Sequence, residues 1–239
     1  MKISQPLMEG RFIRREGRFR AYVEVDGKVK TVHVHDPGRL TELLVRGATV
    51  LVRPHIGSSR KTELYMVATL ANNCWVLVDS ALHVKLAEEA IRRGVVRELR
   101  GYEVVRKEVK YGDGRLDLLL KSAEGVEALV EVKGCTLSVG EIALFPDAPT
   151  LRGKRHLKEL AKAVKDGYEG YVLFLVARCE ARELRPNYEV DPGFAEAIKE
   201  AFRAGVKPLA YKVVLKEGEV NVTEPIPVKL EPPRFQSSP

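Results

Sequence analysis

At 239 residues, 45% of them hydrophobic, the chain can fill one large core or two small ones, which excludes a disordered protein. It has no apolar run of roughly 18 residues, and Met1–Gly10 lacks an apolar signal segment, so membrane insertion and secretion are unsupported and the cytoplasm is the expected location. A formal charge of +7 favours a polyanionic partner, and the isolated Cys74, Cys135 and Cys179, with no Cys-x-x-Cys pair, are expected to be reduced residues of core or pocket.

From Arg11 to Ser80 the pattern is all short strands. Phe19–Val25, Val29–Val34, Thr49–Arg53, Glu63–Leu70 and Cys74–Val78 are rich in β-branched and aromatic residues. Asp26-Gly27 reads as a hairpin turn and Asp36-Pro37-Gly38 as a second reversal, after which Arg39–Val45 has room for one or two helical turns. Five strands with one short helix in about 70 residues suit a small OB-type barrel, a fold that often binds nucleic acid strands on one face. Arg11, Arg14, Arg15, Arg18, Arg20, Lys28 and Lys30 interleave with Phe12, Phe19 and Tyr22. Such a mixture can track phosphates and stack bases, or can be a strand with one buried and one solvated side. His33 and His35 share a strand face, a spacing that can bind metal but more commonly marks a polar face.

After Asp79 the period changes from two to nearly four. Leu82, Leu86, Ala90 and Ile91 predict a helix ended by Gly94, and the change sets a domain boundary near residue 80, giving 1–80 and 81–230 with a mobile polar tail over 231–239. A strand is expected over Tyr102–Lys110. Next, the apolar runs Leu116–Leu120 and Val126–Val132 flank the turn Ser122-Ala123-Glu124-Gly125, which reads as a β-hairpin. With the turn centred near Glu124, Asp117 lies opposite Glu131, their Cβ atoms about 5 Å apart, and Lys133 shares their face. Facing acids repel, so the pattern calls for compensation, and a divalent cation with Lys133 beside it supplies that.

Residues 134–150 lack periodicity and are expected to form a functional connection, with Pro146 fixing the course of Phe145-Pro146-Asp147. Thr150 is a plausible N-cap for a helix that buries Leu157, Leu160, Ala161 and Val164 and gathers Lys154, Lys158, Lys162 and Lys165 on one flank, with Arg155 beside them. Gly170–Ala177 reads as a strand buried on both faces. Asp191-Pro192 starts a helix carrying Phe194, Ala197, Ile198, Ala201 and Phe202 inward, and Lys207–Leu215 closes as a strand.

Asp117 with Glu131-x-Lys133 resembles the PD-(D/E)xK nuclease signature. Together with Gly112–Asp117, Glu131–Leu137, Phe145–Thr150, Arg152–Leu157 and the amino-terminal Val32–Leu40, it resembles the sugar fermentation stimulation protein (SfsA) family from about Gly10 to Leu230. The resemblance implies an OB-like five-stranded barrel followed by a nuclease-like α/β domain with a mixed sheet. It also implies that Glu89 and Glu141 are acids able to complete a metal shell, and that the turn holding Arg39 faces the cleft between domains. In such a core the helix after Thr150 packs beside the active sheet, so Arg152, Lys154, Arg155, His156 and Lys158 can approach phosphates.

Three functions compete. The first is a nuclease in which Asp117 and Glu131 hold Mg²⁺ or Mn²⁺ and Lys133 orients the attacking water, acting on DNA or RNA. The second is a DNA-binding regulator of sugar metabolism that keeps the scaffold without catalysis, as the family resemblance also allows. The third, a carbohydrate enzyme, ranks last because sugar sites expose several aromatic rings and the single Trp75 falls in a barrel strand. No membrane partner is expected, and the sequence leaves the oligomeric state open, a dimer included.

Overall fold

The computed structural model describes residues 1–3, 5–55 and 62–233. The chain opens with β1 (Met8–Glu16), β2 (Arg20–Val25), β3 (Lys28–His33), β4 (Thr49–Pro54), β5 (Leu64–Ala71) and β6 (Cys74–Leu77). Their order is β3-β2-β1-β4-β5-β6, and a β3–β5 pairing closes the first five into an OB-like barrel, leaving β6 as an arm on β5. The five barrel strands are therefore not the five read from the sequence. β1 was hidden because a register shift between Phe12 and Arg14 breaks its alternation and its outward residues are charged. Gly10 lets β1 approach β2, since a Cβ there would lie 2.5 Å from Val23 Cγ1. Asp26 and Gly27 both have positive φ, as a two-residue hairpin turn requires. After the Asp36-Pro37-Gly38 reversal a single turn, closed by Leu44 N–H donating to Leu40 O at 2.8 Å, drops Leu40 and Leu43 into the barrel.

α1 (His83–Arg92) leads into β7 (Tyr102–Tyr111), β8 (Gly114–Ser122), β9 (Glu127–Cys135), β10 (Leu137–Val139) and β11 (Ile142–Phe145). There follow α2 (Leu151–Lys165), β12 (Glu169–Val176), β13 (Glu183–Pro186), α3 (Pro192–Arg203), β14 (Lys207–Lys216) and β15 (Glu219–Ile226). The large sheet runs β15-β14-β12-β9-β8-β7 and is mixed, because β12 is parallel to both β9 and β14 while the other pairs are antiparallel. β12 is buried on both faces from Gly170 onward, as its unbroken apolar run predicts. α1 covers one face of the sheet and α2 and α3 the other. The cluster on the α1 face continues from Leu86 and Val130 into barrel residues such as Val52 and Met66, so barrel and sheet share a core.

Several expectations are corrected. Residues 134–150 are not a bare connection: β10 and β11 form a hairpin, and β11 pairs in parallel with the distant β13, a partner no local pattern reveals. Phe202 is 55% exposed at the end of α3 rather than inward. At the start of the tail, the carbonyls of Glu231 and Pro232 accept from Arg185 at 3.2 and 2.9 Å; residues 234–239 lie outside the described residues. Cys74 and Cys179 are joined by a disulfide across 105 residues, their Cα atoms 6.3 Å apart, because β6 packs against β14. Cys135 is the free, buried thiol among the described residues.

Candidate active site

The β8–β9 hairpin has the register that its turn dictates, with Leu118 opposite Val130 and Lys121 opposite Glu127. One step further, Asp117 and Glu131 meet where the ladder ends. Asp117 Oδ2 accepts the Val132 N–H at 2.7 Å, taking the place of a strand bond. Because side chains alternate, Glu131 and Lys133 fall on the α2 face while Val130 and Val132 enter the α1 face.

That face is largely covered by α2, which buries Glu131 and leaves Asp117 and Lys133 half-buried. Thr150 caps α2 by accepting from Gly153 N–H at 3.0 Å, and the helix carries His156 down onto the acids. Glu131 is 2% exposed, and its Oε1 is contacted by both Lys133 Nζ and His156 Nδ1. Arg152 Nε lies 3.4 Å from His156 Nε2, and the other ring nitrogen, Nδ1, faces Glu131. Burial alone would raise Glu131, but the His156 hydrogen bond and the Lys133 charge outweigh it and hold the acid below the ordinary carboxylate value. Asp117 goes the other way. Burial and then the neighbouring Glu131 push it up to about 6, against the Val132 N–H and Lys133. Glu131 Oε2 is buried with no hydrogen-bond partner among the described residues.

The remaining candidates divide. Arg152, Arg155 and Lys158 are exposed on α2, and the first two line an open cleft of about 430 Å³ with Lys110, Arg115 and His156. His156 itself is 1% exposed, so it serves Glu131 instead of meeting phosphate on an open face. Lys154 is half-buried and held by Asp191 at 3.1 Å, which ties α2 to the N-cap of α3. Arg39 is exposed; its own N–H donates to Asp147 Oδ2 at 3.1 Å, joining the reversal after β3 to the Phe145-Pro146-Asp147 segment. Glu89 and Glu141 do not join the cluster. Glu89 is on α1, across the sheet, paired with the Met1 amino group at 3.1 Å and Arg93 at 3.2 Å, and Glu141 is exposed at the β10–β11 turn beside Arg182 at 3.4 Å. Among the described residues no three His, Cys, Asp or Glu side chains are set to hold a metal together.

Glu159 was missed. It lies 8% exposed on α2, three residues beyond His156, both oxygens unpartnered among the described residues. It packs on Gly114, where a Cβ would come within 2.3 Å of Oε2. An acid on the inward stripe of α2, beside Leu157, Leu160 and Ala163, was the available signal.

An OB-like barrel joined to a mixed sheet whose central hairpin presents Asp117 and Glu131-x-Lys133 defines a protein with a PD-(D/E)xK nuclease-like scaffold. Residues 13–78 match the SfsA N-terminal OB domain and residues 81–219 the sugar fermentation stimulation protein RE domain. The chain belongs to the sugar fermentation stimulation protein (SfsA) family. It is similar to a sugar fermentation stimulation protein homolog of Pyrobaculum arsenaticum, 46% identical over 231 residues covering 97% of this chain and 98% of the relative. A homolog of Methanothermobacter thermautotrophicus is 43% identical over 226 residues, covering 95% and 93%. The solved structure of Pyrococcus furiosus SfsA in complex with Ca²⁺ is 31% identical, with a TM-score of 0.89 over 96% of this chain and 98% of that one.

Proposed function

We infer that the protein is a divalent-metal-dependent nuclease acting on DNA, with Asp117, Glu131 and Lys133 as its working groups. The observation that carries this reading is the buried, unpartnered Glu131 Oε2 beside a second acid that burial and repulsion have raised. A hard cation with oxygen ligands answers both, and Asp117 and Glu131 fit it, with water completing the shell. The Ca²⁺ bound by the similar Pyrococcus furiosus protein is of that kind, and Mg²⁺ or Mn²⁺ is the working ion in this proposal. Glu141 and Glu89 are left out of the shell because their partners lie elsewhere.

When bound, such an ion lowers the pKa of an attacking water and offsets charge on the phosphate. The chain does the rest. His156 holds Glu131 in place through Oε1, leaving Oε2 for the ion. Lys133, half-buried against the same carboxylate, brings a positive charge to where the phosphoryl oxygens gain negative charge. Arg152, Arg155 and Lys158 take neighbouring phosphates and fix the backbone without reading sequence. Arg39 is assigned the same task at the cleft between barrel and sheet.

The alternative is a regulator of sugar metabolism that binds DNA without cutting it, since a nuclease-like scaffold does not by itself fix an activity. Incubation with single-stranded, duplex and branched DNA and with RNA, with Mg²⁺, Mn²⁺ or EDTA, separates the two. The nuclease reading expects metal-dependent cleavage that Asp117→Asn abolishes while binding in EDTA persists. Binding with no cleavage under any metal leaves the regulator.

A further inference from the structure

The acid cluster makes no use of a row of rings on the outside of the barrel. Phe19, in the β1–β2 turn, lies 6.0 Å from His33 with its ring tilted by only 23°. His33 meets Tyr65 edge-on at 5.4 Å, and Tyr65 stacks on His55 at 4.9 Å and 24°. The row follows from the closure of the barrel, because the β3–β5 pairing sets His33 directly opposite Tyr65. Two guanidiniums accompany it, Arg18 at 5.9 Å from the Phe19 ring centre and Arg53 at 5.0 Å from that of Tyr65. Arg53 is itself fixed, donating to Gln5 at 2.7 Å and to the buried Asp79 at 3.0 Å, so this part of the row is ordered without a ligand.

These rings lie outside the barrel core. The barrel core is filled from the other side of the same strands by Val32, Leu64 and Met66, whereas Phe19 is 43% exposed and His33, His55 and Tyr65 are half-buried. The row continues past His33 on the barrel side: His33 lies 5.4 Å from His35 and His35 3.6 Å from Asp79, while His83, four residues on, fills the space over Gly134 on the α1 face, across the sheet from the acids.

We propose that this row binds an unpaired nucleic acid strand, whose bases stack at the Phe19 end while Arg18 takes the backbone. The inference rests on the nucleic-acid reading above and names its substrate class. Every base has a face that stacks on an aromatic ring, and an exposed guanidinium beside the ring supplies phosphate contact, so the chemistry selects single-strandedness and not sequence. In a duplex those faces are covered by neighbouring bases. DNA and RNA share this chemistry.

The test is binding in EDTA by the full chain of labelled oligothymidylate and oligouridylate, of a length within the roughly 4–16 nucleotides an OB fold covers, and of a duplex. Phe19→Leu and Tyr65→Leu keep bulk but lose the ring, and each is expected to weaken single-strand binding by about 5- to 150-fold while duplex affinity stays unchanged. Phe19→Tyr is expected to bind like the parent. The two oligonucleotides together show which strand chemistry is preferred. If the Leu variants fold with unchanged thermal midpoints and bind single strands as the parent does while the duplex still binds, the platform is wrong and the acid-cluster reading survives. Should the parent bind neither single strand nor duplex, both fall. Binding of a neutral oligosaccharide that Phe19→Leu abolishes, with no oligonucleotide binding, would overturn the proposal in favour of a sugar site. Tyr65 is half-buried, and if its variant fails to fold, the exposed Phe19 decides alone.

Discussion

The two oxygens of Glu131 sit in different surroundings: Oε1 is contacted by Lys133 and His156, and Oε2 is buried without a partner among the described residues. A buried acceptor left unmade costs about 1–3 kcal/mol, more for a charged one, so the site is destabilised until something reaches it. Mg²⁺ is therefore expected to raise the thermal midpoint of the protein, by the equivalent of about 2.7 kcal/mol at a hundredfold excess over Kd. Asp117→Asn is expected to erase that rise and, in EDTA, to melt no lower than the parent, because it removes one of two facing acids and keeps an oxygen for the Val132 N–H. A metal response that persists in Asp117→Asn would remove this residue from the cation site. His156→Ala takes away a buried partner of Glu131 and should cost about 1–3 kcal/mol in denaturant unfolding, with cleavage lost alongside.

On the scale of elements, α2 serves two purposes on different flanks. Arg152, Arg155 and Lys158 are exposed, while Lys154 is committed to Asp191, an acid that Thr150 N–H, Phe194 N–H and Lys154 together keep below the ordinary value despite burial. Replacing Arg152, Arg155 and Lys158 with Ala should thus flatten the slope of log affinity against log salt on duplex DNA by roughly 2.7, for three contacts at about 0.9 each. Lys154→Ala should leave that slope unchanged and lower the thermal midpoint; a slope change in Lys154→Ala alone would mean the ion pair opens to phosphate.

How much of this was legible follows from where each element finds its partner. The β8–β9 hairpin was readable because its turn lies within its own sequence, and with it the juxtaposition of Asp117, Glu131 and Lys133. α1, α2 and α3 were readable from their apolar stripes and from the caps at Thr150 and Asp191. β1 was not, since its bulge spoils the period; β10, β11 and the last strand β15 were also missed, although the short turns at Gly140-Glu141 and Glu217-Gly218 close their hairpins locally, and the β11–β13 pairing lies beyond any local pattern. His156 read as one more basic residue, because nothing local says that α2 turns it toward an acid 25 residues earlier.

Over the whole molecule, barrel and sheet are held by a covalent link, a polar junction and a common interior. The Cys74–Cys179 bridge closes a separation of 105 residues, and such a loop is worth about 4–5 kcal/mol in the chain-entropy account. Paired Cys74→Ser and Cys179→Ser substitutions, or reductant, should lower the thermal midpoint accordingly, and an unchanged midpoint would mean that the thiols are apart in solution. At the polar junction Asp36 is buried and pushed up to about 6, chiefly by burial and then by Asp147, although the Gly38 N–H and Arg15 favour its charged form. Its folded value lies above the ordinary value near 4, so its contribution to stability is present below about pH 4 and is lost as pH rises through about 6. Asp36→Asn, which keeps an acceptor for Gly38 N–H, should abolish that slope between pH 4 and 6; parallel pH profiles of midpoint for parent and variant would refute it.

The common interior bears on whether the barrel could stand alone. Its apolar cluster runs through α1 to Val130 and Val132, and the arm β6 leans on β14. Exchanging it for another barrel would open that cluster to water and strip Asp147 of the turn it holds. The two halves therefore bury one another's apolar surface, so a cavity opened at Val52 or Met66 is felt at α1 and Val130 as well.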